Sequence, residues 1–198
     1  METQIIDIHH TLIKSCLKTA ETKDEKQDKR TAQYELYKIY YKAMYNTALR
    51  IVSNTGEAED IMQNSFLDAF SKLHSWNGTG TFGSWLKRIV VNNSVDALRK
   101  HREFRLLADD DLEIPDYNYE EQTDDFKDKI ALIKTALQQL GNEDRIILSL
   151  FLLEGYDHEE ISEILGISYS ASRTRYSRAK SRLLGLVRAK HLHKINAN

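Results

Sequence analysis

Proline, glycine and cysteine are all scarce in this chain: one, eight and one among 198 residues. So little proline and glycine leaves few residues for the tight turns of an all-β fold, and an all-α protein is expected. The lone cysteine, Cys16, excludes an intramolecular disulfide and a cysteine-based zinc site. A packed or free thiol in a reducing cytoplasm is the expectation. The apolar runs fall far short of the roughly 20 residues of a membrane-spanning helix. The N-terminal stretch lacks the apolar core of a signal peptide, so a cytoplasmic protein is expected. Also missing are a Gly-rich phosphate loop, a nucleophile paired with a base, and clustered metal ligands. His191 and His193 find no third ligand. No catalytic residue, metal or cofactor is therefore assigned, and the chain is not read as an enzyme.

What is present is helical pattern and segregated charge. Hydrophobic residues at 41% and charged residues at 29% suit a soluble globular protein. The length allows one large domain or two small ones. The net charge of −2 averages opposed segments. Residues 109–125 carry nine acids and no Lys or Arg, whereas residues 166–194 carry eight Lys or Arg and no acid. Such asymmetry bears more on partners than the sum does.

The stretch DHEEISEILGISYSASRTRYSRAKSRLLGLV, residues 157–187, organises the C-terminal part. Acidic residues open a short helix with Ile161, Ile164 and Leu165 on one face. Gly166 stands where a left-handed C-cap is wanted, and Ser168 is a good N-cap for a second helix. That helix keeps Ser172, Tyr176, Ala179, Leu183 and Val187 on one face and Arg173, Arg175, Arg178, Lys180 and Arg182 on the other. Two short helices, a glycine turn and a basic second helix make the pattern of a DNA-reading helix-turn-helix. Two upstream helices complete its core, one with Ile130, Ile133, Ala136, Leu137 and Leu140, the other with Ile146, Ile147, Leu150, Phe151 and Leu153.

The N-terminal half reads as further helices. Residues 1–30 begin with a short amphipathic segment, and ETKDEKQDKR (21–30) is a linker or a frayed helix end. From Tyr34, Leu36, Tyr40, Ala43, Met44, Ala48, Ile51 and Val52 repeat at helical spacing. A second helix, about 57–73, turns Ile61, Met62, Ser65, Phe66, Ala69, Phe70 and Leu73 inward. After the loop HSWNGTGTFG, a third helix, about 84–103, has Trp85, Leu86, Ile89, Val90, Ala97 and Leu98 on its apolar side. Its other side carries Lys87, Arg88, Asn92, Asn93, Arg99, Lys100 and Arg102. Basic residues, amides and a loop aromatic could together hold a nucleic-acid strand. Asn is a poor mid-helix residue, so the Asn92–Asn93 pair implies a function or a buried hydrogen bond.

Three stretches now stand in order: AEDIMQNSFLDAF (58–70), WNGTGTFGSWLKRIVVNNSVDALRK (76–100) and GISYSASRTRYSRAKSRL (166–183). Together they resemble a bacterial RNA polymerase sigma factor of the extracytoplasmic-function group, which keeps only the second and fourth conserved regions of larger sigma factors. Asp60, Gln63 and Phe66 fill the first motif. Gly78, Phe82, Trp85, Leu86, Arg88, Ile89, Asn92, Asp96 and Arg99 fill the second, with Trp76 in place of the usual Phe. Ser172 stands where the family often has Val, and Ala171 where Thr is usual.

The resemblance implies a set of roles. Asp60, Gln63 and Phe66 would dock on the beta-prime clamp helices of core RNA polymerase, and the C-terminal domain would meet the beta flap. Trp76, Asn77, Gly78, Lys87, Arg88, Asn92, Asn93, Arg99 and Lys100 would face the minus-ten promoter element, where one strand is opened and a base is flipped. Tyr169, Ser170, Ser172, Arg173, Thr174 and Arg175 would read the minus-thirty-five element, with Arg178, Lys180 and Arg182 on phosphates. An anti-sigma factor is implied as a partner, no small-molecule substrate is, and the free chain would be a monomer. The acidic segment would thread the polymerase toward the RNA path, or serve only as a solvated linker. The resulting layout is an N-terminal extension (1–30), a region 2 domain (31–103), an acidic linker (104–127), a region 4 helix-turn-helix domain (128–190) and a basic tail (191–198). A stand-alone dimeric helix-turn-helix regulator and a polymerase-binding antagonist that does not read DNA are the rival readings.

Overall fold

The computed structural model describes the backbone of residues 2–19, 22–107 and 125–196, with side chains described for 9–19, 22–100 and 132–189. Among the described residues there are only helices and turns. The chain folds as two compact units, Met1–His101 and Arg102–Asn198.

In the first unit, α1 (Glu2–Leu17) packs on α2 (Lys23–Val52) and buries Ile13 and Cys16. Burial pushes the Cys16 thiol up to about 11, so it stays protonated at neutral pH. α2 begins well before the apolar repeat at Tyr34. Thr22 and Glu25 form a reciprocal cap: the Glu25 N–H donates to Thr22 Oγ1 at 3.2 Å, and the Thr22 N–H donates to the Glu25 carboxylate at 2.9 Å. The charged run 23–30 is thus the opening of a long helix, not a linker. Its Lys, Glu and Gln are good helix formers, and Asp24 and Glu25 sit at the positive end of the helix dipole. Leu36, Met44, Ala48, Ile51 and Val52 are buried as expected, whereas Ala43 is exposed.

Ser53, at φ 57°, closes α2, and Asn54 caps α3 (Thr55–Ser71) by accepting the Glu57 N–H at 2.9 Å. α3 buries Ala58, Ile61, Met62, Ser65, Phe66 and Ala69. A 3₁₀ turn, Leu73–Ser75, leads through residues 76–81 into α4 (Phe82–Leu107). The buried stripe of α4 is Phe82, Leu86, Val90, Val91, Ser94 and Val95. Trp85, Ile89, Ala97 and Leu98, expected inward, are half-buried. Leu86 and Val90 lie on both the expected and the observed inner side, and the buried stripe is displaced from the larger side chains toward Val91, Ser94 and Val95.

The second unit holds α5 (Asp125–Gln138), α6 (Asn142–Leu148), α7 (His158–Leu165) and α8 (Tyr169–Asn196). α6 continues into a π-helical turn, Ser149–Leu153, in which the Glu154 N–H reaches the Ser149 carbonyl at 3.0 Å. The wider turn shifts the register, so Leu150 is buried while Leu152 and Leu153 are 51% and 49% exposed. The expectation that Leu153 faces inward is corrected accordingly. Ile133, also expected inward, is exposed.

Asp157 caps α7 by accepting the Glu159 and Glu160 N–H groups at 2.8 and 2.9 Å. Gly166, at φ 63°, ends α7, and the Ile167 N–H donates to the Ser162 carbonyl at 3.0 Å. α8 is buried at Ser172, Ala179 and Leu183. It runs on to Asn196, through the stretch read as a basic tail. Most of the acidic stretch lies outside the described residues; of it, 104–107 belong to α4 and 125–127 to α5.

Candidate nucleic-acid interface

Three surfaces carry the residues singled out from the sequence. On α3, Asp60 and Gln63 are exposed, and Gln63 Nε2 donates to Glu59 Oε1 at 3.3 Å. Phe66 is not a surface residue: it is 3% exposed, with its ring centroid 4.9 Å from that of Tyr37. It lines a groove of about 380 Å³ between α2 and α3, together with Tyr34, Tyr37, Gln63, Leu67 and Phe70. Leu67 and Tyr34 on its rim are 67% and 59% exposed. The sequence reading passed over both. Their signal was an apolar side chain standing off the buried stripe of each helix.

The second surface is the 76–81 loop with α4. Gly78 and Gly80 both have positive φ, 77° and 74°, a region a side chain rarely enters. Asn77 is exposed, and its Oδ1 accepts the Thr79 N–H at 3.0 Å. Thr81 closes the loop by accepting the Ser84 N–H at 3.1 Å. Trp76 is half-buried, edge-on to Phe82 at 6.0 Å, with its indole nitrogen buried and unpartnered among the described residues. Ser84, Arg88, Asn92 and Lys100 form the exposed stripe of α4, interrupted by Asp96, which pairs with Arg99 at 2.9 Å. Lys87 is half-buried. Asn93 is turned the other way: its amide donates to Ser65 Oγ at 3.0 Å and to Asp68 Oδ2 at 3.1 Å on α3.

The third surface is α8. Ser168 caps it, its Oγ accepting the Ala171 N–H at 3.2 Å. Ser170, Arg173, Thr174, Ser177 and Arg178 fall on one face and line a depression of about 460 Å³. Tyr169 is 52% exposed, with the Arg173 guanidinium 5.9 Å from its ring centre. Lys180 is exposed.

The basic side expected from the sequence is really two sides. Arg175 and Arg182 lean on α6 and pair with Glu143 and Asp144. Ser172 is fully buried and so cannot read a base edge. Its hydroxyl meets Nδ1 of His158 at 3.1 Å. The His158 ring stacks on Phe151 at 4.7 Å and meets Tyr176 at 5.4 Å and Tyr169 at 6.2 Å. His158 ties α7 to the start of α8, a role that the sequence reading missed.

No group of three or more potential metal ligands occurs among the described residues. The chemistry of these surfaces is that of contact: cations for phosphates, amides and hydroxyls for base edges, apolar rims for a protein partner. Among the described residues no helix is long and apolar enough to cross a membrane.

Residues 36–104 match the family described as sigma-70 region 2, and residues 130–183 match sigma-70 region 4. The chain is 32% identical over 161 residues to the ECF RNA polymerase sigma factor SigE of Mycolicibacterium smegmatis, covering 79% of this chain and 62% of that relative. It is 32% identical over 135 residues to the RNA polymerase sigma factor SigV of Bacillus subtilis, covering 68% of this chain and 78% of SigV. The fold is similar to that of the sigma factor RpoE solved with the anti-sigma factor NepR from Bartonella quintana. That likeness has a TM-score of 0.58 at 23% identity and covers 78% of this chain and 96% of RpoE. CnrH, solved with the cytosolic domain of CnrY, is similar at a TM-score of 0.53 and 21% identity, over 92% of this chain and 98% of CnrH.

Proposed function

The chain belongs to the extracytoplasmic-function group of bacterial RNA polymerase sigma factors, and from that premise we propose that it binds core polymerase, directs it to specific promoters and helps open the DNA. It acts by binding alone, in the cytoplasm where polymerase works. The observation that supports this reading best is that each family region exposes a polar stripe in which two cations stand among hydroxyls or an amide. On α4 it is Ser84, Arg88, Asn92 and Lys100; on α8 it is Ser170, Arg173, Thr174, Ser177 and Arg178.

We assign the minus-ten element to α4 and the 76–81 loop, within a region 2 domain of residues 31–103. Arg88, Arg99 and Lys100 meet phosphates, and Trp76, Asn77, Gly78 and Asn92 face the opened strand. Extruding a base costs a few kcal/mol, and a pocket with phosphate contacts offsets it. We assign the minus-thirty-five element to α8, within a region 4 domain of residues 128–190. The N-terminal end of α8 enters the major groove, where Ser170, Arg173 and Thr174 read base edges while Arg178 and Lys180 hold phosphates.

Core polymerase docks along α3, on Asp60 and Gln63 and the apolar rim at Leu67 and Tyr34, and the second unit meets the beta flap. An anti-sigma factor competes for these surfaces, in keeping with the capture of the RpoE relative with NepR. The free chain is a monomer.

The docking assignment is tested by the affinity of labelled core polymerase for the Leu67→Glu and Asp60→Ala variants. Because Leu67 is 67% exposed, Leu67→Glu leaves the melting temperature unchanged. It weakens core binding by about tenfold or more. Unchanged core affinity in both variants would sink this assignment.

A further inference from the structure

We propose that α1 is a brace that positions the promoter-opening loop, acting through His9 and Tyr40. The idea rests on the reading of residues 76–81 as the minus-ten contact. α1 lies ahead of the region 2 match, which begins at residue 36. It is nonetheless built into the first unit, with Ile13 and Cys16 buried.

α1 packs directly on the turn that precedes the 76–81 loop and reaches the residue that follows the loop through Tyr40 of α2. At the near end it packs on the 3₁₀ turn Leu73–Ser75, whose buried Leu73 accepts the Trp76 N–H at 3.1 Å. At the far end, His9 Nδ1 and the Tyr40 hydroxyl are 3.0 Å apart, with ring centroids at 5.4 Å. The Tyr40 ring stands edge-on to Phe82, the first residue of α4, at 5.5 Å. Phe82 in turn meets Trp76 at 6.0 Å and Trp85 at 5.7 Å.

Gly83 completes the fit. A Cβ at that position would lie 2.8 Å from Tyr40 Cε1, closer than two carbons can sit. The Tyr40 ring therefore occupies space that only glycine leaves, and its position is coupled to the first turn of α4. Holding the loop in one arrangement lowers the entropy lost when a flipped base is captured. His9 and Tyr40 are positioning residues in this scheme, since neither is needed to touch DNA.

The test uses the full chain with core polymerase on a duplex promoter that carries a fluorescent base in the minus-ten element. Opening rate, core affinity and melting temperature are measured together. Tyr40→Phe keeps the ring and loses the hydroxyl; His9→Leu loses the polar partner; His9→Gln keeps one. Tyr40→Phe and His9→Leu should slow opening roughly fivefold, the loss of one net hydrogen bond. Core affinity should stay unchanged, and His9→Gln should recover most of the rate. Opening at the wild-type rate in both variants overturns the brace. So does a parallel loss of core affinity and opening, which marks general destabilisation. Asn77→Ala and Trp76→Ala separate the two layers. If opening survives them, the loop reading itself fails. If opening is lost in them yet normal in His9→Leu and Tyr40→Phe, only the brace fails.

Discussion

Asn92 and Asn93 are neighbours on α4 with different surroundings. Asn93 bridges to Ser65 and Asp68 of α3, whereas Asn92 is exposed. Asn93→Ala should lower stability by about 1–2 kcal/mol in denaturant titration, because it removes two hydrogen bonds that tie α4 to α3. Asn92→Ala should stay within about 0.5 kcal/mol and instead slow promoter opening. The reverse pattern would exchange their assigned roles. The sequence alone justified treating the pair together, since both are poor helix formers at one place. Which of the two faces α3 depends on the rotation of α4, and that is decided by the fit of Val90, Val91 and Val95 into the core. Ser172 is a similar case. Helical spacing already put it on the inner face with Tyr176, Ala179 and Leu183, against the base-reading role that the resemblance implied, but its partner His158, 14 positions earlier in the chain, was not legible.

At the scale of elements, helices were legible wherever an apolar repeat ran unbroken, as in α2 from Tyr34 onward. The charged opening of α2 was not, because it buries almost nothing and is held by its cap and its propensities. Thr22→Ala should therefore destabilise the first turns of α2 by about 1 kcal/mol and speed amide exchange there, with little change in the core of the helix. Unchanged exchange over 23–30 would mean that the Thr22–Glu25 cap contributes nothing. The turn between α7 and α8 was readable because its chemistry is local: a left-handed glycine followed by a serine cap. The π-helical turn after α6 was hidden, since nothing in SLFLL announces a wider turn, and it displaced the inward assignment of Leu153.

At the scale of the whole molecule, scarce proline and glycine and segregated charge already pointed to helices and a nucleic-acid partner. They did not show how the charge is used. Glu143 and Asp144 reach across to Arg175 and Arg182, so a surface that looked uniformly basic presents chiefly its Arg173–Arg178 face outward. A net charge of −2 is compatible with promoter binding because the basic residues are gathered locally rather than spread over the chain. The most direct measurement is transcription in vitro by purified core polymerase on fragmented DNA of the source cell, with and without this chain. The account predicts new start sites that share two spaced upstream elements and disappear with Asp60→Ala or Arg173→Ala. No new start, together with a dimer of the chain shifting duplex DNA unaided, would contradict it and point to a stand-alone regulator.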